Sequence, residues 1–200
     1  MGFINLKVYA KIDKNYEGKI MEYELYFLNN IHDSMETVNV ELDPFFSLFS
    51  EGYIDEVSMK HIILNLANCL ELLIKYKLEQ EHWTLIFSDL NKAKYSDYLM
   101  GDFVSVDVKS GILRLKNICE INCRFDSSIN ICKYRNKLMH YTLNGTFEHI
   151  IKDVANSMSE IAKFVEEDIM ENLPEGAQKD FQDSANDYRK YAEMLKELKL

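Results

Sequence analysis

The chain has little with which to break a helix: two prolines and seven glycines in 200 residues. Turn-dense all-β architectures are therefore disfavoured, and long helices are expected. There is one tryptophan, and there are four cysteines, Cys69, Cys119, Cys123 and Cys132. None of the four forms a CxxC pair. The CxxxC at Cys119 and Cys123 has no neighbouring histidine, so a zinc site is not expected. The opening MGFINLKVYAKID lacks the charged start, apolar run and cleavage site of a secretory signal, and Leu6 stands where myristoylation at Gly2 wants Ser or Thr. No uninterrupted, uncharged apolar run of about 18 residues is present to cross a bilayer. The sequence shows no GxGxxG, GxxxxGK[ST], GxSxG or HExxH, which removes several enzyme classes by their own signatures. These absences lead to the expectation of reduced cysteines, no metal or other cofactor, no membrane partner and a cytoplasmic address.

What is present is an excess of acid. The net charge of −10 argues against a nucleic-acid platform covering the whole surface. The charge is unevenly placed, however. From Lys109 to Tyr141, Lys109, Arg114, Lys116, Arg124, Lys133, Arg135 and Lys137 outnumber Glu120 and Asp126 by five. A basic island in an acidic chain is a candidate phosphate site.

Hydrophobic spacing predicts a mainly α fold. The first forty residues depart from it: Ile4, Leu6, Val8, Ala10 and Ile12 alternate with polar residues, as do Tyr23, Leu25 and Phe27, and then Val38, Val40 and Leu42. Period two suggests a small N-terminal antiparallel β meander, although residues 20 to 31 fit a helix with Ile20, Phe27 and Ile31 inward equally well. Beyond Pro44 the period becomes helical. Ile63, Leu66, Leu70, Leu73, Ile74 and Leu78 predict a helix from Asp55 to about Glu79. EHWTLIFSDLNKA reads as an apolar turn or short helix, and GDFVSVDVKSG as a loop. Asp107 caps a helix over Gly111 to Glu120, with Ile112, Leu115 and Ile118 inward. A further helix, capped by Asp126, Ser127 or Ser128, ends near Asn144-Gly145. Another runs from His149 to about Asn172 through Ile150, Val154, Met158, Ile161 and Val165. After the break at Leu173-Pro174-Glu175-Gly176, a last helix spans Asp180 to Leu200. The organisation expected is an N-terminal extension over residues 1–50, a helical domain over 51–172, and a C-terminal helix over 173–200 packed on that domain.

The informative stretch is YRNKLMHY, residues 134 to 141. At about 100° per residue, Ile131, Tyr134, Leu138 and Tyr141 share an arc of roughly 80° that must face the core. Asn136, His140, Lys133 and Lys137 take the opposite arc, and Arg135 falls on the flank beside Ile131 and Met139. A covered guanidinium keeps its charge and needs an acidic partner, carbonyls or an anionic ligand. Glu71 is an obvious partner, and a structural ion pair is the plainer reading of Arg135.

RNKLMH, Arg135 to His140, resembles the signature of the HEPN superfamily, in which an Arg, often followed by Asn, precedes a His late in a helix of a small bundle. LELLIKYKL, Leu70 to Leu78, resembles the family's first long helix, with Glu71 followed by Lys75; an ordinary salt bridge one helical turn apart explains that pair as well. The likeness spans residues 55 to 170. It implies a HEPN-like antiparallel helical bundle, a homodimer in which two motif helices meet, and a metal-independent ribonuclease acting as a toxin or phage-defence effector, with RNA as partner and an antitoxin or other regulatory protein restraining it. Some members carry a tyrosine two residues after the His. Here Tyr141 follows immediately and Thr142 holds that place, which puts regulation through such a tyrosine in doubt.

Those residue types suit RNA cleavage by its own 2′-hydroxyl. His140 serves as base or acid. Arg135 offers a fork of donors to the phosphate, and Asn136, one turn before His140, orients the ring or a phosphate oxygen. Lys133 and Lys137 hold flanking phosphates, although simple solvation explains exposed lysines too. Glu71, Lys75 and Tyr141 support the site. The alternative is a HEPN module that binds RNA or a partner protein without cutting.

Overall fold

The computed structural model describes residues 17–140 and 146–199. Seven α-helices make up most of them: α1 (Glu17–Ser50), α2 (Glu56–Glu81), α3 (Tyr95–Met100), α4 (Val108–Asn117), α5 (Asp126–His140), α6 (Phe147–Phe164) and α7 (Glu175–Lys196). The mainly α reading holds, as a helical bundle. Among the described residues the β content is one isolated antiparallel bridge between Phe87 and Ser105.

The β meander is corrected over the described residues. Residues 17 to 50 form one helix, so the segments around Leu25 and Val40 are helical, while the strand expected over 4 to 12 lies outside the described residues. Leu28, Ile31, Met35, Val38, Leu42 and Phe45 recur at steps of three and four, and all are buried. Val40, on the same face of the supposed strand as the buried Val38 and Leu42, is 66% exposed. One continuous apolar stripe along a helix thus prevails over short alternations that coincide with it. Pro44 is accommodated inside α1 on its exposed side, where it removes one hydrogen bond of the ladder.

α2 is the axis of the bundle, packing against α1, α4, α5 and α6. All six residues whose spacing predicted it are buried, as are Ile62, Cys69 and Tyr76 on its other sides. A helix apolar nearly all round belongs in an interior; α2 also has the length and hydropathy to cross a membrane, and 56% of that stretch is buried here. Asp55 caps it, Oδ1 accepting from the N–H groups of Val57 and Ser58 at 3.1 Å. α1 lies antiparallel to α2, tied by Asn68 donating to Ser34 at 2.7 Å and by His61 on Glu41 at 2.9 Å. α7 runs parallel to α1 through Ser184 donating to Glu36 at 2.7 Å and Tyr191 to Asp43 at 2.8 Å.

Between α2 and α4 the chain makes two 3₁₀ turns, Trp83–Ile86 and Leu90–Lys92, and the short α3. Trp83 closes over this segment with Phe87, Tyr95 and Tyr98 around it. Arg114 on α4 fastens it, one terminal nitrogen donating to the Leu85 carbonyl at 2.6 Å and the other to that of Ser88 at 3.1 Å. α4 begins at the expected cap, Asp107 accepting from the Ser110 N–H at 3.0 Å, but ends at Asn117. Ile118, expected inward, lies past the last turn and is 51% exposed. Gly111 is where α4 meets α2: a Cβ there would stand 2.6 Å from Cγ2 of Ile74.

α6 buries Ile150, Val154, Met158 and Ile161, and the fifth residue that predicted it, Val165, is buried as the first of a π turn (Val165–Ile169), which a 3₁₀ turn (Met170–Asn172) follows. α7 starts at Glu175, before the expected Asp180, directly after Pro174. The corner is anchored to α2. Tyr76 donates to the Asn172 carbonyl at 3.0 Å, and Lys77, although buried, places Nζ 2.8 Å from the Asn172 side-chain oxygen and 3.7 Å from Glu81.

Candidate functional site

The motif helix α5 is set by its neighbours more than by its own caps. The N–H groups of Ser127 and Ser128 donate to the Glu160 carboxylate of α6 at 3.0 and 2.8 Å, and the Ser128 hydroxyl reaches the same carboxylate at 2.6 Å and Ser157 at 2.9 Å. An acidic side chain from another helix thus supplies the anionic cap that the local Asp126, Ser127 and Ser128 were expected to give. Farther along, Tyr134 donates to Asp153 at 2.6 Å. Burial first, and then the Asp153 carboxylate, push the Tyr134 hydroxyl up to about 12, so it stays a neutral donor. Of the predicted core arc, Ile131 is fully buried and Tyr134 and Leu138 are half-buried; Tyr141 lies outside the described residues.

On the opposite flank Arg135 meets α2. Its Nη2 lies 3.3 Å from Oε2 of Glu71, whose Oε1 takes Lys75 at 2.7 Å. The Glu71 carboxylate therefore sits between two cations, with Arg135 still 31% exposed. The Nε of Arg135 is buried and has no acceptor among the described residues. A guanidinium held by one of its nitrogens retains unfilled donors, which a phosphate or carboxylate oxygen satisfies. Cys132, one turn back, is buried beside this pair. Burial raises its thiol to about 11, with Arg135 pulling down and Glu71 pushing up.

Asn136, Lys137 and His140 are exposed and have no side-chain partner among the described residues. Lys133 is exposed too, and among the described residues it is bonded only to Asn130, at 3.0 Å. The structure thus gathers Arg135, Glu71, Lys75 and Cys132 on one flank of α5, and leaves Asn136, His140, Lys133 and Lys137 on the solvent side. Arg135 and His140 are about 140° apart around the helix, so within one chain they do not converge on a single atom.

Two other histidines, His61 and His82, have structural duties. His61 pairs with Glu41, and the His82 ring nitrogen accepts from the Thr84 N–H at 3.3 Å. The four cysteines are free thiols, and among the described residues no group of three or more His, Cys, Asp and Glu is placed to hold a metal. Cys132 and Glu160 were missed at the sequence level. The first reads as one apolar residue among several, and the second lies 32 residues from the helix it caps. No protein-family model, curated protein or solved structure matches this chain.

Proposed function

We propose that this chain is a metal-independent endoribonuclease of the HEPN type, acting as a homodimer in toxin or phage-defence biology. The observation that carries the reading is the state of Arg135: oriented by Glu71 through one terminal nitrogen and partly open to solvent, so that its guanidinium can also meet an anion. A solvent-facing amide and imidazole lie on the same helical turn and a half.

The chemistry needs no metal. One His140 removes the proton from the RNA 2′-hydroxyl, and the 2′-oxygen attacks the adjacent phosphorus. The bond to the 5′-oxygen breaks, and that oxygen takes a proton from the imidazolium of the second protomer's His140, which is left neutral. The products are a 2′,3′-cyclic phosphate and a 5′-hydroxyl. Arg135 stabilises the equatorial oxygens as charge builds on them, and Asn136 orients the ring or an oxygen. The 140° between Arg135 and His140 favours a composite site, in which the guanidinium of one protomer and the imidazole of its partner meet at one phosphate.

One observation favours a second reading, a non-catalytic HEPN module that binds RNA or a partner protein: the Glu71 carboxylate already offsets much of the Arg135 charge. Incubation of a mixed RNA pool with wild type and His140→Ala in EDTA separates the two. The nuclease reading expects cleavage that survives chelation, leaves cyclic phosphate ends and disappears in the variant. Equal cleavage by both proteins removes His140 from the mechanism. Binding without cleavage under any condition establishes the second reading.

A further inference from the structure

The outward faces of α5 and α6 carry cations beyond those of the motif. Tyr134 on Asp153, and Ser128 on Ser157 and Glu160, fix the two helices antiparallel, which puts His149 of α6 about level with Lys137 of α5. On α6, His149, Lys152, Asn156 and Lys163 follow one another at steps of three, four and seven. These steps place them on one outward stripe beside α5, with His149, Lys152 and Lys163 exposed. On α5, Lys133, Lys137 and His140 form the facing stripe, all exposed.

No carboxylate lies on the α5 stripe between Lys133 and His140, whereas Glu148, Asp153, Glu160 and Glu167 flank the α6 stripe. Among the described residues none of Lys133, Lys137 and Lys152 lies within ion-pair distance of an acidic group, and Lys163 has Glu167 at 3.7 Å. Asp153, between the stripes, is engaged by Tyr134 at 2.6 Å and Asn130 at 3.4 Å. Asp126 lies about two turns before Lys133, and Glu148 about 100° around α6 from His149. In a chain of net charge −10, Lys133 and Lys137 on α5 and Lys152 on α6 are thus ammonium groups outside any ion pair among the described residues, and an anion running between the two helices would join them.

We infer that these stripes form one track for the sugar-phosphate backbone of single-stranded RNA, with Lys152 on one bank and Lys133 and Lys137 on the other, leading to His140 at the end of α5. The choice of RNA among polyanions rests on the nuclease reading above. Packed helices lie about 8–10 Å apart, a spacing over which lysine side chains from both banks reach the same strand. Each ammonium that replaces a condensed counterion adds to the salt dependence of binding. A flexible single strand bends to so narrow a line of charges more easily than a stiff duplex does.

The test uses the full chain and a fluorescein-labelled single-stranded RNA with 2′-O-methyl groups throughout, which binds but cannot undergo 2′-oxygen attack. Fluorescence anisotropy across a salt series is expected to show Lys152→Gln and Lys133→Gln each weakening binding about three- to tenfold and lowering the slope of log affinity against log salt by about 0.7. Lys179→Gln, an exposed site on α7, is expected to bind like wild type. Wild-type affinity in both track variants overturns the track, as does an equal loss in Lys179→Gln. Equal affinity for duplex DNA overturns the single-strand assignment. Cleavage of unmodified RNA by a Lys152→Gln protein with normal affinity sinks the track and spares the nuclease. Loss of affinity in both track variants of a protein that never cleaves does the reverse.

Discussion

Arg135 and Glu71 meet through a single contact, Nη2 to Oε2 at 3.3 Å, joining the motif helix to the axis of the bundle. The pair is a quarter to a third exposed, so solvent screens it, and Glu71 is shared with Lys75. Glu71→Ala removes the common anion and leaves two cations facing each other. Urea denaturation is expected to show a loss of about 1 kcal/mol. Cleavage is expected to fall at least tenfold with little change in RNA affinity, because Arg135 loses its orientation and keeps its charge. Faster cleavage in this variant would mean that Glu71 restrains Arg135.

Removing Glu160 tests how far α5 depends on α6. Its carboxylate accepts two backbone N–H groups and the Ser128 hydroxyl, itself buried with Ser157. Glu160→Ala leaves those donors without an acceptor, and a loss of about 2–3 kcal/mol is expected. The measurement is the urea midpoint, with Glu167→Ala, an exposed acid on the π turn, as a control expected to fall within about 0.5 kcal/mol of wild type.

Gly111 is required by the close approach of α4 to α2. Gly111→Ala drives a methyl to 2.6 Å from Cγ2 of Ile74, and a cost of about 1–3 kcal/mol is expected despite the better helix propensity of Ala. Ile74→Leu removes that branch methyl, so the double variant is expected to lose less than the two singles together. Additive thermal shifts would place the strain elsewhere.

Asp55 and Asp107 give the fold an acid-sensitive component. A backbone N–H is the largest cause in both cases, that of Ser58 for Asp55 and of Ser110 for Asp107, and it holds each carboxyl below its ordinary value. A carboxyl with a depressed folded-state value stabilises above its unfolded value and loses that contribution as pH falls through the folded one. The melting temperature is therefore expected to drop as pH goes below about 4. The combined Asp55→Asn and Asp107→Asn variant keeps a capping side chain, and its drop is expected to be shallower. Equal slopes for both proteins would remove these caps as the cause.

Legibility in the sequence followed the range of the interactions. α2 and α6 were readable because their apolar residues repeat over several turns and all face one core. The Asp107 cap was readable because cap and donor lie within three residues of each other, while Asp55 was read as the start of α2 without its capping role. The pairing of Arg135 with Glu71 was accessible by elimination, since a covered guanidinium needs an anion. What escaped was set by distant partners or by competing periods. The alternation at Val38, Val40 and Leu42 fits a strand locally and loses to a stripe visible only over the whole of α1. Nothing near Ser128 announces Glu160. The cations of α6 take meaning only once the Tyr134 contact aligns that helix with α5.

The anchoring of Asn172 to Tyr76 and Lys77 bears on how the molecule opens. Peeling α7 away would pull at the corner that satisfies a buried ammonium about one turn from the C-terminal end of α2, removing its Asn172 acceptor. Fraying of the last helix is thus coupled to melting of the axial one. Backbone amides at the start of α7 are accordingly expected to exchange with deuterium in step with global unfolding, as part of one cooperative unit with α2.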